Sequence, residues 1–171
     1  MAEMGVNSLK AELTNPARLY MWTVQIPGIV GGGDENSMML RCQASSIPGF
    51  GFGEIKVPYK QTAGFKVPGK ETFPQLWTTT FIEGEDRKVF DALWGWKKQI
   101  VNPTSGVGAD GSSIKANIYL TLETTQGTIY NKLKLSGAWV QAVPDTALNF
   151  TNDGAIYYSV TFAYDSIESM N

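Results

Sequence analysis

The chain has 171 residues, 43% hydrophobic and 12% aromatic, which suits one domain with enough chain to bury a core and excludes a disordered polymer. The formal net charge is -2, with no basic run or basic helix face, so binding through nucleic-acid phosphates has little support. Charged residues make up only 18%, low for a freely soluble monomer and a hint that partners cover part of the surface.

Residues 1–17 read as an arm. Leu9, Ala11 and Leu13 suit one helical turn, with Asn7 or Ser8 as its cap and Pro16 as its stop. From Leu19 the pattern alternates, and Tyr20, Trp22, Val24 and Ile26 share one face of a predicted strand. Glycines from Gly28 to Gly33, with Asp34 to Asn36, make a long turn. A returning strand then places Met38, Leu40, Cys42 and Ala44 on one face and Met39, Arg41 and Gln43 on the other.

Pro48 to Gly53 form a corner. Ile55, Val57 and Tyr59 alternate with Glu54, Lys56 and Lys60, Gln61 to Gly64 turn the chain, and Phe65 and Val67 begin the return. This hairpin has too few apolar residues to bury both faces. Leu76 to Ile82 is a threonine-rich strand suited to a half-exposed face. The strong helix runs from Asp86 to about Ile100, with Val89, Phe90, Leu93, Trp94 and Lys97 at three-and-four spacing. Its expected packing face is Phe90, Leu93 and Trp94. Acids at its start and Lys97 and Lys98 at its end complement the helix dipole.

A glycine and serine loop covers Thr104 to Ser113. Three strands follow. The first has Ile114, Ala116, Ile118, Leu120 and Leu122 inward, and the second Ile129, Leu133, Leu135 and Trp139. In the third, Ile156, Tyr158, Val160, Phe162 and Tyr164 alternate against Tyr157, Ser159, Thr161 and Ala163. The fold class is mainly β: a single-domain sandwich or barrel with one flanking α-helix.

Catalytic chemistry finds no foothold. Histidine is absent, which removes the commonest general base and metal ligand. A single cysteine, Cys42, rules out an intrachain disulfide and the usual zinc sites, and reads as a small buried apolar residue. Gly31 to Gly33 lack the lysine and hydroxyl residue of a phosphate loop. Glu83, Glu85 and Asp86 cluster before the helix, where capping explains them better than a glycosidase-type pair. Trp77, Trp94, Trp96 and Trp139 suit packing better than a sugar-binding platform. No stretch spans a membrane and no signal core opens the chain, so folding in a cytoplasm is expected.

An ordered series of landmarks remains: Cys42-Gln43-Ala44 with Ile47-Pro48, Val67 to Phe73 before Trp77, and Arg87 to Trp94. From about Pro16 to Glu168 this order resembles the tail tube protein family of contractile-tailed bacteriophages, with a looser match at Lys70 and the weakest stretch from Gln99 to Ser113. The resemblance implies an arm over 1–17 and a tube domain over 18–171. It also implies a non-enzymatic subunit of stacked hexameric rings, forming a hollow tube inside a contractile sheath. Sheath, baseplate and terminator would be partners. DNA would pass without specific binding, no cofactor is implied, and the product would be a virion part assembled in the host cytoplasm. A bacteriocin, type VI or other contractile injection tube is the alternative in the same class. A monomeric carbohydrate-binding sandwich is the alternative in another.

A tube that passes DNA must not hold it, so a small, polar, non-basic lining is expected. The candidate lining residues are Arg41, Gln43, Ser45, Glu54, Lys56, Thr78, Thr80, Ser159 and Thr161. The candidate contacts between copies are Ile55, Val57, Tyr59, Phe65, Val67 and Lys70 of the hairpin, and Leu9 and Leu13 of the arm.

Overall fold

Alternating apolar residues build the main sheet. A computed structural model describes residues 6–13, 15–60, 62–72 and 75–170; Phe73 lies outside them. The elements in chain order are α1 (Val6–Glu12), β1 (Trp22–Gln25), α2 (Glu35–Arg41), β2 (Cys42–Ser45), β3 (Phe52–Tyr59) and β4 (Thr62–Glu71). β5 (Leu76–Ile82), α3 (Lys88–Ile100), β6 (Ala116–Glu123), β7 (Ile129–Ala142), β8 (Tyr157–Ala163) and β9 (Ser166–Ser169) complete them. Seven strands form one antiparallel sheet in the order β1-β6-β7-β8-β5-β2, with β9 also paired to β7. Among the described residues β3 and β4 pair only with each other.

The 14-residue strand β7 turns the sheet into a sandwich. Its first half pairs with β6 and β9, and its second half pairs with β8. The register shifts between the pairs Ile118·Leu135 and Ala116·Ala138, where Gly137 takes φ +65°. An L-side chain is disfavoured there, and a Cβ would also strike the Asp165 carboxylate, itself held by Lys115. The two leaves fold over one core that contains Val24, Ile118, Leu120 and Leu135 from one leaf and Trp77, Phe81, Val160 and Phe162 from the other. The mainly β single-domain sandwich with a flanking helix is therefore observed.

Several local expectations are corrected. Leu19 and Tyr20 sit in an exposed turn, and β1 begins only at Trp22. The start of the returning strand is helix α2, because the Asp34 carboxylate caps it by accepting from the Ser37 N–H and hydroxyl. Met38 is consequently buried while Leu40 is exposed, and only Cys42–Ser45 is strand. α1 begins at Val6, so Asn7 and Ser8 lie inside it and neither caps it. Gly64 belongs to β4 rather than to the hairpin turn. Ile129 and Ile156 are exposed, and β9 was not expected at all.

α3 packs on the core through Val89, Ala92, Leu93 and Trp96. Only Leu93 of the expected face is buried; Phe90 is half-buried and Trp94 is exposed at the flank. Arg87 precedes the helix in the left-handed region and gives no side-chain cap. Glu83, from the end of β5, caps it instead, accepting from Phe90 N at 2.6 Å and Val89 N at 3.3 Å. On the other side, α3 presses against the glycine turn. Gly31 has φ +91°, and a Cβ there would lie 2.6 Å from the Gly95 carbonyl oxygen and 2.8 Å from Trp96 N. Gly31→Ala is therefore expected to cost upward of about 2 kcal/mol in a urea titration, from backbone strain and overpacking together. An unchanged midpoint would show that the turn can move away from the helix.

Candidate functional surfaces

Two exposed surfaces and one groove stand out. The first surface is the outer face of the leaf β2-β5-β8. Because β5 and β8 pair in register, alternation puts Trp77, Thr79 and Phe81 of β5 and Tyr158, Val160 and Phe162 of β8 on the core side. The opposite face carries Leu76, Thr78, Thr80 and Ile82 beside Ala163, Thr161, Ser159 and Tyr157. The structure thus brings four predicted lining residues together, as the neighbouring pairs Thr78·Thr161 and Thr80·Ser159. The Thr78 and Thr161 hydroxyls are 3.3 Å apart. Ala44 of β2 pairs with Thr80, and Ala142 of β7 pairs with Thr161, extending the face on both sides. No charged side chain stands on these strand positions. Alternation put Ala44 on the face of Cys42 and gave no place to Ala142; a register shift in each strand, at Gln43 and Gln141, sends both to this face instead.

The other predicted lining residues lie elsewhere. Ser45 pairs with Thr79, on the core side, and is half-buried. Gln43 is the extra residue of the β2 bulge and is exposed. Arg41 ends helix α2, where its guanidinium binds Glu83 at 3.3 Å and both carboxylate oxygens of Asp86. Those hydrogen bonds hold the Asp86 carboxyl below its ordinary range. The cluster ties α2 to the cap of α3, a structural duty that removes Arg41 from the small-polar face. Glu54 and Lys56 stand on the separate hairpin.

That hairpin is the second surface. The pairs Ile55·Val67 and Val57·Phe65 place four apolar side chains on one face, all exposed. On the reverse face Glu54 binds Lys66 at 2.7 Å and Lys56 at 3.0 Å, and these ammonium groups lower its carboxyl below the ordinary range. Tyr59 near the tip and Lys70 near the base are also exposed. Leu9 and Leu13 of the arm are exposed, and no residue of α1 is buried.

The groove lies between α3 and the end of β7, with a volume of about 640 Å³. It was not foreseen from the sequence, because α3 is apolar over a wide arc: Phe90, Leu93, Trp94 and Ile100 line the groove while Val89, Ala92 and Trp96 face the core. Trp94 is exposed and Trp139 half-buried. Trp77 and Trp96 are buried, with Nε1 donating to Ser46 O and Ile114 O. Lys97 Nζ sits 3.9 Å from the Trp94 ring centroid, a cation–π contact. Cys42 is half-buried, its sulfur 3.0 Å from the Thr79 hydroxyl, and burial pushes its thiol up to about 11. Among the described residues no group of three or more His, Cys, Asp or Glu could hold a metal ion. No helix among them is long and apolar enough to cross a membrane.

No protein-family model and no curated protein sequence matches the chain. Its fold does match solved structures. A chain of the anti-feeding prophage tube-terminating cap superposes with a TM-score of 0.65 at 18% identity, over 91% of each chain. A chain of the sheath-tube complex of an extracellular contractile injection system superposes at 0.62 and 17% identity, over 98% of this chain and 99% of that one. A chain of the six-fold symmetrised anti-feeding prophage baseplate superposes at 0.63 and 8% identity, over 91% and 96%. The chain has the fold found in tube-bearing parts of contractile injection machines, as the resemblance implied.

Proposed function

We propose that this protein is a tube subunit: copies close into hexameric rings, the rings stack, and the resulting hollow tube is a conduit inside a contractile sheath. The observation that carries this reading is the hairpin, a two-stranded sheet with an exposed apolar face and no place in its own core. An isolated hairpin of this kind is marginal in water, so a partner copy is the natural cover. Among the described residues β1 and β2, at the two ends of the strand order, each keep one unpaired edge that closure into a ring would satisfy. The match to the fold of a sheath-tube chain over nearly the whole length supports the same reading. The finer proposal is a contractile phage tail, with genome passing through and with sheath, baseplate and terminator as neighbours; a bacteriocin or injection-machine tube shares the same architecture. Residues 1–17 act as an arm reaching an adjacent copy. No catalytic role is proposed.

The uncharged face of Thr78, Thr80, Ser159 and Thr161 is the proposed bore lining, with α3 on the opposite side of the leaf. Electron microscopy of the purified chain, or of the particles that carry it, is the test. Stacked rings are expected, and a monomer at every concentration overturns the reading. Thr161→Lys is expected to change folding stability by no more than about 0.5 kcal/mol. It should give tubes that retain DNA in a salt-dependent way, where the parent tubes retain none. Retention unchanged from the parent, in tubes that still form, removes Thr161 from the bore.

A further inference from the structure

We propose that the groove between α3 and the end of β7 holds the apolar face of the β3–β4 hairpin from a second copy of the chain. This rests on the ring-assembly reading and names its contact. Groove and hairpin face are both open in the same molecule, so one copy does not cover itself. The groove is walled by Phe90 and Trp94 on one side and by Val140 and Val143 on the other, with Tyr158 between. The hairpin presents Ile55, Val57, Phe65 and Val67 as a ridge two strands wide, with no charge at its centre. Burying one against the other leaves Lys97, the cation that lines the groove, on the Trp94 ring, while Glu54, Lys56 and Lys66 stay paired in solvent on the back.

Charge sets the direction. Asp145 stands on the groove rim and makes no ion pair among the described residues. Lys60, at the hairpin tip, makes none either, its ammonium lying 5.5 Å from the Tyr59 ring centroid. The tip therefore points to the Asp145 end. Size sets the assembly. An eight-residue strand is about 27 Å long at the usual rise, and two strands present a face of roughly 270 Å². That is well below the roughly 800 Å² per partner of a stable pair. The contact holds only together with the other contacts of a ring, so closed assemblies form without a populated dimer. A different patch on each partner is also the head-to-tail geometry that generates rings.

The test mixes two variants in a Cys42→Ser background, one Val57→Cys and the other Val143→Cys, with a short bismaleimide. A covalent dimer that appears only in the mixture, under conditions where rings are visible, is the expected result. Rings without that cross-link overturn the groove assignment and leave self-assembly standing. Absence of rings from the parent chain overturns both. A charge swap checks direction: Asp145→Lys should raise the concentration needed for assembly about tenfold, and adding Lys60→Asp should restore it. Failure of the second change to restore assembly counts against the pairing.

Discussion

Trp96→Ala is expected to lower the unfolding free energy by about 3–5 kcal/mol, and Phe90→Ala by only about 1–2 kcal/mol. The two aromatics are six residues apart on one helix, yet their surroundings differ. Trp96 is 1% exposed, its ring 5.8 Å from that of Phe162 in the middle of the sandwich. Its Nε1 donates to Ile114 O at 2.8 Å, so truncation removes packing and also orphans a carbonyl in the turn before β6. Phe90 stacks on the exposed Trp94 at 5.6 Å and carries the Arg87 guanidinium over its outer side. Losing it strips a flank rather than opening a cavity. Urea titrations with equal slopes would report the difference directly. Equal losses for the two variants would mean that the helix is rotated from the position described.

The helix shows how far the sequence could be read. The three-and-four spacing located α3, but Val89, Phe90, Leu93, Trp94 and Trp96 span more than one stripe, so the pattern left two faces open. The choice falls to Glu83 and Gly31, which fix the helix from its two sides. The Gly31 constraint is not local in sequence, whereas Glu83 stands just before the helix and its capping was legible. The same limit explains α2: seven residues with apolar members at Met38, Met39 and Leu40 fit a strand as well as a helix, and Asp34 decides. β5 and β8 were legible because their alternation is clean, and the small-polar face follows from alternation alone. Arg41 lies off that face because its partners, Glu83 and Asp86, are more than forty residues away in the chain. β9 is four residues with one apolar side chain, too short to leave a periodic signal.

Replacing Val57 by Lys and Phe65 by Glu together is expected to abolish ring and tube formation while leaving the domain folded. These residues are cross-strand partners on the apolar face of the hairpin. Opposite charges directly across a hairpin support the pairing, so the two strands should stay together. Neither side chain belongs to the core, and the melting temperature of the free chain should therefore barely move. What disappears is an apolar ridge that water alone covers in one copy. Transfer of two such side chains into a contact is worth about 3 kcal/mol, close to a hundredfold in association, and a ring multiplies it at every seam. Sedimentation and electron microscopy against the parent chain read the outcome. Should the double variant still build tubes at the parent's concentration, the hairpin is ornamental to assembly. The contacts between copies would then fall to the outer edges of β1 and β2 and to the arm with its exposed Leu9 and Leu13.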